Sequence, residues 1–194
     1  MESLVRTLFS KSRKVLNVGS GPSLAELHDR YDGMRQYRLD IDPRMRADFT
    51  CDALEMRKHV VGASFDAVFC SHNLEHYYFH QVPVVLSGMF HVLKSGGFVE
   101  ILVPDILAAI KTMEQLGCDL EDVLYDSPGG PISTIDVIYG WRLEIERSNQ
   151  HYFAHKTAFT PKSLQKALLN AGFINVEIYK SERSFELQGI AYKP

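Results

Sequence analysis

The sequence carries no strong charge of either sign. Its 21 lysines and arginines nearly balance 24 aspartates and glutamates, leaving a formal net charge of -3. That balance provides no basic footprint, so nucleic acid is not an expected partner. Arg35, Arg38, Arg44, Arg46, Arg57 and Lys58 lie close in sequence, but acidic residues interrupt them and the stretch reads as solvated surface. Long hydrophobic runs are also missing. No segment approaches the roughly 20 apolar residues of a membrane-spanning helix, and residues 1–11 lack the apolar core and cleavage site of a secretory signal. Cysteine is scarce: Cys51, Cys70 and Cys118 are odd in number, widely spaced, and fit no disulfide framework or zinc pair. A reducing, cytoplasmic location is therefore expected. Cys51 and Cys70 sit in apolar runs and read as buried filler. There is no internal repeat or flexible linker, and 194 residues suit one domain, 1–194.

What is present centres on Lys14-Val15-Leu16-Asn17-Val18-Gly19-Ser20-Gly21-Pro22-Ser23. Val15, Leu16 and Val18 make a short apolar run bounded by turn residues, as in a strand of a parallel sheet. Gly19 and Gly21 permit backbone angles and close ligand approach that a side chain would block. Ser23 can cap a helix over 24–30, with Glu26 completing a capping box. Strand, glycine turn and helix N-terminus together form a cradle for a small molecule. Leu24 stands where a dinucleotide fingerprint needs its third glycine, so a nucleoside-type ligand fits better than a pyrophosphate.

Strands are expected at 36–41, 47–51, 65–70 and 98–103, with a helix at 82–93 ended by the glycines of 94–97. A short leading helix is expected at 3–9. Strands alternating with helices predict an α/β fold with a parallel sheet. Residues 105–160 break that rhythm: a helix at 106–116, a rigid loop at 126–131 and a helix at 133–147. Rich in aromatics and glycine, this stretch reads as a substrate-facing insertion. A helix at 163–170 and a strand pair at 174–180 and 185–192 close the chain. In an open parallel sheet ligands sit beyond the carboxyl ends of the strands. Those ends carry Asp40 and Asp42, Asp52, Ser71-His72-Asn73 and Asp105. Asp40 is placed for ribose hydroxyls and Asp52 for the amino group of a base.

The motifs VLNVGSG (15–21), LDIDP (39–43), CDAL (51–54), SFDAVFCSHNLEH (64–76), VLKSGGFVEILVPD (92–105) and AFTPKSLQKALLNAGFINVE (158–177) follow one another along nearly the whole chain. In this order and spacing the sequence resembles a class I S-adenosylmethionine-dependent methyltransferase of the small methyltransferase-domain kind. The resemblance implies a Rossmann-like open sheet of about seven strands, mostly parallel with an antiparallel last strand, and helices on both faces. It also implies S-adenosylmethionine as cofactor. Gly19, Ser20 and Gly21 would line its methionine part. Asp40, followed by Ile41, matches the ribose-binding acid, with Asp42 as the rival. Asp52, Ala53 and Leu54 match the adenine turn, and Ser71 and His72 the stretch that closes over the cofactor. Asn17 stands where the family commonly has Asp, keeping an acceptor but losing the charge.

Methyl transfer needs positioning, and a base when the acceptor must lose a proton. Candidate bases are His155, His151 and Asp136. Candidate acceptor-binding residues are His76, Asp105, Tyr139, Trp141 and Tyr152, and their aromatic character suits a small-molecule or saccharide acceptor. Two other readings stand beside this one. The first is a non-catalytic binding or regulatory protein on the same fold. The second is a zinc hydrolase, since His72-Asn73-Leu74-Glu75-His76 matches the inverted zinc-protease signature. That signature needs a helix through His72, directly after a buried strand, so no metal ligand is assigned.

Overall fold

A computed structural model describes residues 12–22, 24, 27–127, 129–180 and 185–194. Seven strands form the main sheet: β1 (Lys14–Val18), β2 (Arg35–Asp40), β3 (Phe49–Thr50), β4 (Phe65–Ser71), β5 (Leu93–Pro104), β8 (Ile174–Lys180) and β9 (Glu186–Tyr192). Their order is β3-β2-β1-β4-β5-β9-β8. The first five run parallel, while β9 is antiparallel to both β5 and β8. The order reverses between β1 and β4, and a crevice at such a switch point is where open α/β sheets take their ligands.

Strand parity decides the layering. Leu16, Val18, Val68, Cys70, Val99, Ile101 and Val103 are buried on one face. The helices α1 (Met56–His59), α2 (Val82–Val92) and α6 (Pro161–Asn170) bring Met56, Val85, Leu86, Met89, Leu164 and Leu168 to that core. The other face holds a smaller cluster of Val15, Tyr31, Ala67 and Phe69. There Glu100 is fully buried, and its carboxylate accepts hydrogen bonds from the Tyr31 hydroxyl (2.8 Å) and the Gln188 amide (2.6 Å). Burial beside this carboxylate pushes the Tyr31 phenol far above its usual range.

Several local expectations change. The helix expected at 24–30 is, among the described residues, only a 3-10 turn, Asp29–Tyr31; its proposed cap, Ser23 and Glu26, lies outside them, as does the leading helix at 3–9. The glycines of 94–97 do not cap α2. Leu93 is already extended and pairs with Phe65, and Gly96 (φ 75°) kinks β5 instead.

The chain leaves the sheet at Asp105 and returns at Phe159, two residues joined by a parallel bridge. Between them come α3 (Ile106–Leu116), a hairpin of β6 (Val123–Ser127) and β7 (Gly130–Ser133), α4 (Thr134–Tyr139) and α5 (Arg142–Ser148). The expected loop at 126–131 is thus the turn of the hairpin, and the expected helix at 133–147 is two helices. Gly140 separates them. It holds φ 96°, and a Cβ there would lie 2.5 Å from the Phe153 carbonyl oxygen. Gly140→Ala should therefore lower the unfolding free energy by about 2–4 kcal/mol, through a strained φ and a backbone clash. Urea denaturation measures it; an unchanged midpoint would show that the segment has room to shift.

Candidate functional site

The site grows from the ends of β1, β2 and β4. Gly19 (φ 71°) donates its N–H to the Leu39 carbonyl at 2.8 Å, which fastens the turn to β2. A Cβ on Gly19 would overlap the Asn73 side-chain amide, so only glycine lets the loop after β4 close over the turn. Next to Gly21, by contrast, the space in the Cβ direction is open.

Asp40 joins the two loops. One carboxylate oxygen accepts the Gly21 N–H and the other the Asp42 N–H, each at 2.9 Å. A carboxylate offers about four lone-pair sites, so two remain for further donors. Asp42 is more heavily used: Arg44 donates from its backbone and guanidinium, and the Tyr152 hydroxyl donates at 3.0 Å. Hydrogen bonds from Arg44 hold the Asp42 carboxyl well below the usual carboxylate range. Of the two rivals, Asp40 therefore keeps free acceptor capacity. Ile41 between them is 44% exposed, an apolar surface beside the cradle. Asp52 caps the 3-10 turn of Ala53–Glu55 by accepting the Leu54 N–H at 3.0 Å, and also accepts the Tyr77 hydroxyl at 3.1 Å. Asn17 is buried at the end of β1, and Ser71 is half-buried at the end of β4.

His72 takes a left-handed conformation (φ 48°) immediately after β4. Its Nε2 lies 2.6 Å from Glu186, and its Nδ1 3.4 Å from Glu75. Burial opposes the imidazolium, but the hydrogen bonds and charges of the two carboxylates outweigh it and raise His72 to about 10. No α-helix carries residues 72–76; Leu74–His76 is a 3-10 turn. His72 and His76 therefore do not share a helical face, and the inverted zinc-protease arrangement is not formed.

Beyond this loop lies a cavity of about 860 Å³. The sheet side contributes His72, His76, Pro104 and Glu186, and the insertion contributes Tyr125, Ile132, Trp141, Phe153 and His155. Tyr125 stacks on Phe185 at 5.3 Å between ring centroids, and the Gly129 turn packs against the Trp141 ring. The Trp141 indole N–H is buried with no partner. None of Gly19, Asp40 and Asp52 lines the cavity, so cradle and cavity are neighbouring compartments with His72 at their border.

The residues expected to act on an acceptor divide sharply. His155, His76 and Trp141 line the cavity. His155 Nδ1 lies 2.9 Å from the Val137 carbonyl, which can only accept, so the ring is protonated there and presents Nε2. Burial lowers its pKa, keeping it neutral. Asp136 also lines the cavity but is committed to structure. It closes a capping box with Ser133 and pairs with Arg142 at 2.9 Å. Burial raises its carboxyl, yet the Ser133 and Arg142 hydrogen bonds prevail and lower it, which makes it a weak base. Asp105 is no cavity residue; it caps α3 by accepting the Leu107 and Ala108 N–H groups at 3.1 Å. His151 is exposed and outside the cavity lining, and so is Tyr139, at 61% exposure. Tyr152 instead clasps Asp42 and Arg44, tying the insertion to the loop after β2.

Glu186 and Tyr125 went unread in the sequence. Glu186 follows the cavity to the start of β9, and no local motif marks it. Glu75 is 1% exposed, and Nε2 of His155 comes within 3.9 Å of it. The backbone carbonyl of Glu75 accepts the N–H groups of Lys156 (2.8 Å) and Thr157 (3.1 Å), which fixes the return segment of the insertion.

With this geometry in place, the comparisons are specific. Residues 16–101 match the family model described as a methyltransferase domain. No curated protein matches the sequence. Among solved structures, a SAM-dependent methyltransferase from Archaeoglobus fulgidus is similar at 17% identity and TM-score 0.62, covering 99% of this chain and 92% of that one. The 1,6-didemethyltoxoflavin-N1-methyltransferase of Burkholderia thailandensis, bound to 1,6-didemethyltoxoflavin and S-adenosylhomocysteine, is similar at 16% identity and TM-score 0.54, over 98% and 75% of the two chains. Phosphoethanolamine N-methyltransferase 2 of Haemonchus contortus, with S-adenosyl-L-methionine, matches at 14% identity and TM-score 0.56. There the alignment covers 99% of this chain and 52% of that one, so this chain spans about half of that enzyme's length. Identities this low speak for the fold, and the family model covers the first half of the sheet, from β1 into β5. The chain thus has the Rossmann-like fold of S-adenosylmethionine-dependent methyltransferases, and its residues 16–101 are similar to their methyltransferase domain.

The Tyr152 clasp is testable by itself. Tyr152→Phe should lower the unfolding free energy by about 0.5–1.5 kcal/mol, the usual worth of one hydrogen bond. It should also speed amide exchange in residues 44–46. Unaltered exchange there would mean that Arg44 alone holds Asp42.

Proposed function

We propose that this chain binds S-adenosylmethionine in the cradle at Gly19–Gly21 and transfers its methyl group to a small-molecule or saccharide acceptor held in the 860 Å³ cavity. The observation that carries the proposal is the adjacency of two unlike compartments. One is a polar cradle whose Asp40 keeps two free acceptor sites. The other is an aromatic-walled cavity of the size that takes small ligands.

The residues present fit the cofactor. Asp40 would accept both ribose hydroxyls, Ile41 and Leu54 would flank the adenine, and Asp52 would accept from its amino group. Gly19, Ser20, Gly21 and Asn17 would surround the methionine part, with Ser71 and His72 closing the side toward the acceptor. Asn17 lacks the charge common at its position but remains a buried polar group able to accept a hydrogen bond. When bound, the cofactor supplies an electrophilic methyl group on a sulfonium.

The chain's own contribution is alignment, exclusion of water and disposal of a proton. Trp141, Tyr125 and Phe153 give the acceptor flat apolar walls, and the unpartnered Trp141 N–H is a donor. His155 is the residue best suited to take a proton, being neutral and presenting Nε2 at the cavity. Residues 105–160 act in this scheme as the acceptor-binding insertion of a single domain. The balanced charge is the reason no nucleic-acid partner is proposed, and the location expected from the cysteines is cytoplasmic.

Isothermal calorimetry should give about micromolar binding of S-adenosylmethionine, near -8 kcal/mol. Asp40→Ala should weaken it by about 1–3 kcal/mol through lost hydroxyl hydrogen bonds and a loosened loop. Wild-type protein that does not bind the cofactor would refute the proposal. Release of S-adenosylhomocysteine across a panel of hydroxyl and amine acceptors would then identify the acceptor class. Cofactor binding without turnover on any acceptor would favour the non-catalytic reading.

A further inference from the structure

Glu75 is an unusual residue for a protein interior. It is 1% exposed, and its nearest donor is the His72 ring, 3.4 Å from Oε1, too long for a strong hydrogen bond. A buried ionised carboxylate so weakly hydrogen-bonded is costly unless a charge or a metal compensates it. His72 supplies part of that charge at 3.4 Å from Oε1, but it is itself committed to Glu186 at 2.6 Å.

Two further imidazoles converge on the same carboxylate. His155 Nδ1 faces the Val137 carbonyl at 2.9 Å, and His76 Nδ1 faces the Ala154 carbonyl at 3.1 Å. Each ring must carry its proton on Nδ1, which leaves each Nε2 as a lone-pair donor. This backbone anchoring of the second ring nitrogen is how metal-ligating histidines are normally held. The two rings meet edge to face at 5.0 Å. Ligand atoms of Glu75, His76 and His155 all lie within 4.8 Å of one another. The Glu75 backbone clamps Lys156 and Thr157, so the distant histidine is kept beside the other two ligands by main-chain bonds.

The geometry points to a site for a divalent first-row transition metal ion, held by Glu75, His76 and His155 at the edge of the acceptor cavity. Two imidazoles and one carboxylate on one side of an ion form the facial arrangement favoured by such metals, and they suit magnesium or calcium poorly. Bonds of about 2.1 Å require ligand atoms about 3.0–3.4 Å apart. The side chains must therefore draw in by roughly an ångström, within the reach of small rotations of a 3-10 turn and a loop.

The role of the ion rests on the methyltransferase reading above. Positions left open on the cavity side would take two oxygens of an acceptor, such as a vicinal diol or a hydroxy acid. Coordination acidifies the hydroxyl, and because the ion then occupies His155 Nε2 in place of its role as base, the proton passes to solvent. The oxygen lone pair then forms the O–CH3 bond as the S–CH3 bond breaks. That electron pair stays on sulfur, leaving the neutral thioether. The acceptor class inferred is thus a chelating oxygen nucleophile.

The test uses the full chain, stripped with chelator, and titrates Mn2+, Co2+ and Zn2+ alone by calorimetry and by Co2+ absorption spectroscopy. One ion per chain at micromolar or tighter affinity, with a raised melting temperature, is expected. Glu75→Gln and His155→Ala should each weaken binding tenfold or more, whereas the exposed His151→Ala should leave it unchanged. Circular dichroism checks that the variants fold, and His76→Gln serves if Glu75→Gln does not. Absent binding, binding with equal affinity in the variants, or equal loss in His151→Ala would overturn the inference and leave Glu75 as a carboxylate neutralised by its histidines. S-adenosylmethionine titrated into the stripped protein separates the two readings. Cofactor binding without metal binding refutes only the metal site. Metal binding without cofactor binding refutes only the methyltransferase function.

Discussion

The cavity side of this protein depends on one main-chain clasp. The Glu75 carbonyl takes the N–H groups of Lys156 and Thr157, and so the far end of a long insertion is fastened to the loop that ends β4. The bridge between Asp105 and Phe159 closes the base of the same insertion. With both ends fixed at the carboxyl edge of the sheet, α3, the β6–β7 hairpin, α4 and α5 must arch over that edge. The cavity is the space beneath them. Because backbone groups make the clasp, it does not depend on the identity of residues 156 and 157, and the insertion can vary while staying anchored.

On the other side, Asp40 performs the corresponding task for the cradle. Its carboxylate draws the glycine turn and the loop after β2 together, and Tyr152 reaches from the insertion to Asp42 and Arg44. The insertion is thus tied to both compartments. A ligand entering the cradle meets a rim that is already hydrogen-bonded to the lid of its neighbour. This coupling is a physical reason for the two sites to be formed together.

The sheet was legible in the sequence because its signals are local. Apolar runs at 15–18, 65–70 and 98–103 are buried strands, and glycine or aspartate at their ends marks the ligand-facing edge. The glycine turn after β1 is equally local: Gly19 takes the left-handed angle that its sequence position suggests. What failed were readings in which tertiary contacts outweigh local pattern. Asp105 and Asp136 carry the residue type of a catalytic base, yet backbone N–H groups and Arg142 claim them. Gly140 interrupts a continuous helical pattern because Phe153 passes too close for a side chain. The glycines of 94–97 look like a helix cap but lie in a strand whose partners are at the chain's end. The meeting of Glu75, His76 and His155 spans some eighty residues, and nothing in either segment's sequence announces the other.

The account stands most directly on cofactor binding by the cradle. Calorimetric titration of the full chain with S-adenosylmethionine should show one site of about micromolar affinity, weakened about 5- to 150-fold in Asp40→Ala. A wild-type protein that releases no heat, and shows no shift in melting temperature with saturating cofactor, would contradict it.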